Sequence, residues 1–131
     1  MSDVKATLAM QFAEKVLVNF LGFTEKEVDQ MMVGKRFPVS STIKPSESVH
    51  FKLNDQGFLT GRLTVVSYNG SHSLSMTFLD GWLHGPQVLN MSRSNTCRSE
   101  VNFLFGTVHG LVIETEKYAK TRSVYSFGEK I

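Results

Sequence analysis

The sequence predicts an α+β domain in which two N-terminal helices pack on a curved, mostly antiparallel β-sheet arranged as a meander. Two observations predict this architecture. Apolar residues recur at helical spacing up to residue 34, whereas from Ser48 onward they alternate with polar residues, as in a half-buried strand. The 131 residues therefore form one domain with a helical segment, 1–34, a connecting loop, 35–47, and a sheet, 48–128. The pattern leaves open whether the sheet partly closes into a barrel.

The first helix is predicted over residues 3–21. Its apolar side chains are four residues apart, which places them on one face of a helix and predicts a buried stripe. The stripe consists of Val4, Leu8, Phe12, Val16 and Phe20. Gly22 follows as a residue suited to end a helix.

A second helix is predicted from about Glu25 to Val33. Thr24 and Glu27 have the spacing of a capping box, in which each side chain bonds to the backbone N–H of the other residue. Gly34 is expected to end this helix.

Two turn signals set the register of the first three predicted strands. A three-residue loop that ends in Gly57 predicts a G1 bulge, and Asn69-Gly70 predicts a type I′ turn. The first loop pairs Leu53 with Leu59 and Phe51 with Gly61, and the second pairs Val65 with Leu74, Leu63 with Met76 and Gly61 with Phe78. Both turns place the apolar partners on one face, which supports this register.

Four further strands are predicted after the hairpins. They span Gln87 to Met91, Val101 to Phe105, Leu111 to Glu116 and Ser123 to Phe127, and they are separated by loops over 92–99, 106–110 and 117–122. The sequence shows no evident internal repeat.

The composition is that of a globular protein. Hydrophobic residues make up 41% and charged residues 20% of the chain, and the net charge of +2 falls short of a dedicated nucleic-acid binder. The single cysteine, Cys97, excludes an internal disulfide. Together with the lack of a secretory signal it predicts a cytoplasmic protein with no membrane segment.

The predicted register also defines a polar second face of the sheet. It carries His50, Lys52, Thr60, Arg62, Thr64, Val66, Tyr68, Ser73, Ser75 and Thr77. This face is interpreted either as a solvated sheet surface or as a docking surface, because hydroxyl groups are desolvated at less cost than a dense set of charges. The candidate partner-binding residues on it are Arg62, Thr64, Tyr68 and Ser75.

Two loops add further candidates. Trp82 and His84, in the stretch "DGWLHGP", are candidate partner-binding residues at a loop tip, although Trp82 can equally fold back on the core edge. Arg93 and Arg98, in "NMSRSNTCRSE", are candidate anion ligands; the alternative is a solvated loop with a structural cysteine.

Catalytic and metal-binding patterns are not evident. The four histidines include no pair at i,i+4 spacing, and neither a phosphate-binding lysine loop nor a nucleophile elbow occurs. No cofactor or metal is therefore predicted. A pocket that uses His72 or His109 with Glu114 as acid and base stays open, because catalytic groups can be distant in sequence.

Three functions follow from these observations. The leading hypothesis is a non-enzymatic protein-binding module, a small cytosolic adaptor or inhibitor that binds a protein partner or itself as a homodimer. The alternatives are a small-ligand binder or enzyme with a pocket between the first helix and the sheet, and a weak single-stranded nucleic-acid binder.

Overall fold

The computed structural model describes residues 2–40, 42–46, 48–66, 72–91, 97–115 and 119–131. Within them the helices are α1 (Ser2–Lys5), α2 (Leu8–Asn19) and α3 (Glu25–Met31). The strands are β1 (Val49–His50), β2 (Gly61–Val66), β3 (His72–Leu79), β4 (Trp82–Leu83), β5 (Gly85–Met91), β6 (Cys97–Leu104), β7 (Thr107–Thr115), β8 (Lys120–Ser126) and β9 (Glu129–Lys130).

The strands form one antiparallel sheet in the order β1-β2-β3-β5-β6-β7-β8-β9, and β4 also pairs with β3. No pairing joins β9 to β1 in the described part of the chain, so the sheet is open rather than a barrel. This arrangement confirms the predicted fold class.

The core lies between α2 and one face of the sheet, which we call the inner face. Helix α2 packs across β3, β5 and β6. The largest fully buried apolar side chains come from the helical segment and from the sheet segment: Met10, Leu17, Leu21, Val28, Met31, Leu59, Leu63, Leu74, Met76, Leu83 and Leu89. Phe20, which was predicted to lie in the buried stripe, is 55% exposed.

The prediction of one helix over 3–21 is wrong, because the chain breaks between α1 and α2. Thr7 caps α2 by accepting a hydrogen bond from the N–H of Met10. The N–H of Leu8 donates to Glu114 Oε2 at 3.1 Å, and that of Ala9 donates to Ser99 Oγ at 2.9 Å. The sheet thus satisfies backbone donors that a continuous helix would have satisfied internally.

Helix α3 begins as predicted. The Thr24 hydroxyl accepts from the Glu27 N–H and the Glu27 carboxylate accepts from the Thr24 N–H, both at 3.0 Å. The helix ends at Met31, and Gly34 beyond it has a φ of 96°.

The predicted register of β2 against β3 is confirmed throughout, although Asn69-Gly70 itself lies outside the described residues. The pairing of Leu53 with Leu59 is also confirmed. The pairing of Phe51 with Gly61 is wrong, because Val49 pairs with Val65. Seven residues from Leu59 to Val65 therefore face five from Val49 to Leu53, and Gly61, with a φ of 76°, lies within the longer segment.

The four later strands occur where predicted, but they are longer. Strand β6 already begins at Cys97, so the predicted loop over 92–99 is too long. The predicted loop over 106–110 is instead a turn at Phe105 and Gly106 followed by β7. Both turn residues have positive φ, 47° and 83°, as a type I′ turn requires.

The prediction of no internal repeat is wrong. The described segments 57–61, 81–85 and 106–110 all read Gly, any residue, Leu or Val, Thr or His, Gly. Every one of these glycines has a positive φ, between 76° and 99°, and each central apolar residue is at most 2% exposed. The carbonyl of that apolar residue accepts from the N–H of a later turn glycine: Gly81 to Leu59, Gly106 to Leu83, and Gly128 to Val108, at 2.6 to 2.8 Å. The sheet is thus built from repeated hairpin units.

Strands β4 and β5 are separated by a break at His84, and Gln87 closes this break. The Gln87 side chain is fully buried. Its Oε1 accepts from the Thr77 N–H at 3.0 Å, and its Nε2 donates to the carbonyls of Thr77 and Gly85 at 3.0 and 3.1 Å. A side chain therefore replaces backbone partners where the ladder is interrupted.

Candidate functional site

The face of the sheet opposite α2, which we call the outer face, matches the polar face expected from the register. Its residues alternate along the strands with the buried inner-face residues, and one row runs across β2, β3, β5, β6, β7 and β8. This row pairs Thr64, Ser75, Val88, Glu100, Ile113 and Arg122 in order. All six residues are half-buried or exposed, so the row forms a broad accessible surface.

Positive charge predominates on the outer face. Arg62, Arg98 and Arg122 are exposed there, whereas Glu100 carries the negative charge of the central row. Glu100 is already paired, since Arg98 Nη2 lies 2.8 Å from its Oε1 and Asn102 Nδ2 donates to its Oε2 at 3.1 Å. The register also places one exposed charge of each sign, Lys120 and Glu129, on this face, so the charge left over is basic.

The structure brings together three of the predicted partner-binding residues. Thr64 and Ser75 are direct cross-strand partners, and Arg62 lies two residues along β2 from Thr64, opposite Thr77. The fourth predicted residue of this face, Tyr68, lies outside the described residues.

Trp82 and His84 lie at the end of the sheet where the tight turns occur, and the His84 N–H donates to the carbonyl of Thr77, the cross-strand partner of Arg62. We call this end the turn edge. The Arg36 guanidinium lies 4.1 Å from the Trp82 ring centroid and 4.3 Å from that of Phe58, and Arg36 Nη1 donates to the Asp80 carbonyl at 2.8 Å. Trp82 is thus half-buried and folded onto neighbouring residues.

At the turn edge, His84 and His109 each accept a hydrogen bond from the backbone of a turn. His84 Nδ1 accepts from the Phe105 N–H at 3.1 Å, and their ring centroids are 4.5 Å apart. His109 makes the same contacts with Phe127, with a hydrogen bond of 3.1 Å and a centroid separation of 4.4 Å. His84 and His109 occupy equivalent positions in the repeat. Their contacts with the turns are therefore a structural feature of the fold.

Of the two candidate anion ligands, Arg98 lies in the described part of the chain. Arg98 is a strand residue of β6 paired with Glu100, and Arg93 lies outside the described part of the chain. Cys97 is half-buried at the start of the same strand.

A cleft with a volume of about 160 Å³ lies between α2 and strands β2 and β3. Its helix wall is formed by Phe12, Val16 and Phe20, and its sheet wall by Val65, Leu74 and His72. The exposed residues Lys15 and Asn19 complete the rim. A pocket at this place that contains His72 was one of the sequence-based alternatives.

The cleft does not assemble the acid and base considered above. The His72 ring stacks on Phe12 at a centroid distance of 5.6 Å, His109 fastens a turn, and Glu114 caps α2. Sequence reasoning missed Lys15 and Phe20 as cleft residues. The available signal was the apolar stripe itself, since Phe20 continues it and Lys15 directly precedes its residue Val16.

Other chemical features are sparse among the described residues. They contain no group of three or more His, Cys, Asp or Glu side chains placed to hold a metal ion. Lys5 Nζ lies 2.6 Å from Asp29 Oδ1, and this hydrogen-bonded carboxylate raises the pKa of Lys5. No described helix is long and apolar enough to cross a membrane.

We compared the chain with models of protein families, with curated proteins and with solved structures, and none matched.

Proposed function

We propose that this protein is a non-enzymatic binding module, a small cytosolic adaptor or inhibitor that docks its outer face on an acidic surface of another protein. The row from Thr64 to Arg122 supports the proposal because it crosses six strands and remains accessible. Small hydroxyl groups and isolated aliphatic side chains dominate this row. Such a surface loses less hydration on docking than one dense in lysine and glutamate.

The charge of the outer face favours an acidic partner over a second copy of the chain. Arg62 and Arg122 lie on strands toward opposite sides of the sheet, and the acidic Glu100 between them is already engaged by Arg98. Two outer faces brought together would place like charges near one another, and such juxtaposition costs several kcal/mol. An acidic partner would instead place opposite charges next to these arginines, which is favourable.

The experiment compares capture of partners from the native cell lysate by the wild type and by Arg62→Glu and Arg122→Glu. Lys26→Glu is the matched control, because it makes the same charge change at an exposed residue of α3. We expect a protein partner that the wild type and the control retain and both arginine variants lose, at unchanged thermal midpoints. Footprinting should then show protection of β2 and β3 on their outer-face side chains.

Three results would overturn the proposal. A homodimer in native mass spectrometry would assign the face to self-association. Capture that disappears after nuclease treatment and falls steeply with salt would indicate a nucleic acid. Capture that is indifferent to both arginine variants would exclude this face. Trp82→Ala is unsuitable as a test, because it also removes the packing partner of Arg36.

A further inference from the structure

We propose that the cleft between α2 and strands β2 and β3 binds a small aromatic or short-chain carboxylate. This site lies on the inner-face side of the sheet and so goes beyond the proposed protein-binding function. The inference depends on three properties of the cleft: its apolar walls, its size and the charge at its rim.

The walls of the cleft are apolar on both sides except at His72, whose ring stacks on Phe12. Phe12 and Val16 of α2 face Val65 and Leu74 of the sheet across the cleft. Phe20 extends the helix wall and is 55% exposed, which leaves a large aromatic surface in water beside the opening. An apolar ligand would remove such a surface from water, and this is the main favourable contribution to binding in small pockets.

The size of the cleft limits the ligand. Its volume of about 160 Å³ is close to that of engineered apolar cavities of about 150 Å³ that bind benzene. One six-membered ring or a chain of a few carbons fits, whereas a fused polycyclic ligand would extend into solvent.

The rim supplies a positive charge for an anionic head group. Lys15 lines the cleft, and its ammonium lies 5.8 Å from the centroid of the Phe12 ring. Neither Asp nor Glu is among the lining residues, so a cationic ligand would meet no counter-charge there. A ring placed in the cleft lies beside Lys15, so a directly attached carboxylate could meet its ammonium, and Asn19 offers a neutral donor on the rim.

The test is a titration of the protein with benzoate, with the neutral benzamide and the cationic benzylamine as matched probes. Amide chemical shifts and the thermal midpoint are followed at constant pH and ionic strength. We expect benzoate to shift amides of α2, β2 and β3 in a saturable way, benzamide to bind more weakly at the same amides, and benzylamine to bind least.

Variants separate the contribution of charge from that of shape. Lys15→Gln should weaken benzoate binding about two- to fivefold, the range of an exposed ion pair, and leave benzamide unchanged; Lys26→Gln on α3 is the control. Val65→Phe should abolish binding of both probes by filling the cleft. If that variant does not fold, Asn19→Trp, at an exposed helix position, fills the rim instead.

Several results would overturn the inference. One is the absence of a saturable shift with benzoate at 10 mM, about the weakest useful affinity. The others are equal affinity for benzylamine and benzoate, and benzoate binding that persists when the cleft is filled. If Val65→Phe also loses its protein partner, the cleft holds a side chain of that partner, and this result would assign the cleft to protein recognition. Because the outer-face variants are independent of the cleft, failure here leaves the proposed function intact, and the reverse also holds.

Discussion

Gln87→Met is expected to destabilise the protein strongly, although it changes neither the length of the side chain nor its burial. In the wild type the Gln87 amide makes hydrogen bonds of 3.0, 3.0 and 3.1 Å to the Thr77 N–H, the Thr77 carbonyl and the Gly85 carbonyl. The Thr77 carbonyl retains a second donor, the His84 N–H at 3.1 Å. The Thr77 N–H loses the acceptor that the side chain supplied, and the Gly85 carbonyl loses a donor.

The magnitude follows from these losses. A buried polar group left without its partner costs about 1 to 3 kcal/mol, and an ordinary hydrogen bond contributes about 1 kcal/mol net. Methionine fills the same volume, so no cavity is added. The free energy of unfolding should therefore fall by about 2 to 4 kcal/mol, a large part of the roughly 5 to 15 kcal/mol typical of a domain.

Gln87→Glu tests the same hydrogen bonds through pH. The carboxylate keeps an acceptor for the Thr77 N–H but lacks a donor for the two carbonyls, and it is a charge in a fully buried position. Burial raises the pKa of such a group in the folded state above its unfolded value of about 4.3. The variant should thus lose stability as the pH rises from about 4.3 through the raised pKa of the folded state, and regain it on acidification, when the protonated carboxyl can donate.

Urea denaturation of the wild type and both variants measures these differences, with equal m-values required for comparison. A Gln87→Met value within about 0.5 kcal/mol of the wild type, the usual range for surface changes, would refute the reasoning. It would show that relaxed backbone or water replaces the side chain.

Three further predictions concern the glycines, the helix cap and the repeat. Gly106→Ala should cost at least twice the roughly 1 kcal/mol of left-handed strain expected for Gly22→Ala, because an added Cβ would lie 2.8 Å from neighbouring backbone at Gly106 and meets nothing within 4 Å at Gly22. Equal losses on urea denaturation would contradict this. Glu114→Ala removes the acceptor of the Leu8 N–H, so it should cost about 0.5 to 2 kcal/mol and speed amide exchange in the first turn of α2, whereas unchanged exchange would deny the capping role. Thr60→His combined with Asp80→Phe should recreate a histidine–phenylalanine contact with a coupling of about 0.5 to 1.5 kcal/mol in a double-mutant cycle; zero coupling would contradict the equivalence of the repeats.

The sequence predicted best where backbone geometry is determined locally. The capping box of Thr24 and Glu27 and the β2–β3 register needed only short-range rules, because turn length fixes the pairing of the strands it joins. The break before Leu8 could not be predicted in this way. It depends on a hydrogen bond to Glu114, a residue more than a hundred positions away.

The candidate surfaces show the same difference between local and long-range determinants. Arg62, Thr64 and Ser75 were placed correctly on one face, because alternation along a strand is a local property. The cleft was expected only in outline, because its lining depends on the long-range packing of α2 beside β2 and β3. The internal contacts of Trp82 were one of two open alternatives, because its partner Arg36 comes from the loop after α3.

The repeated hairpin indicates which positions serve the fold and which are free for recognition. The central apolar residues Leu59, Leu83 and Val108 keep their character and their burial in every unit, and each accepts a hydrogen bond from a turn glycine. The outer-face positions that follow do not repeat: Thr64, Val88 and Ile113 occupy equivalent places but differ in polarity. Packing requires the first set, whereas nothing in the hairpin geometry requires the second. The variation across the outer face is therefore where we expect the specificity of the protein for its partner to reside.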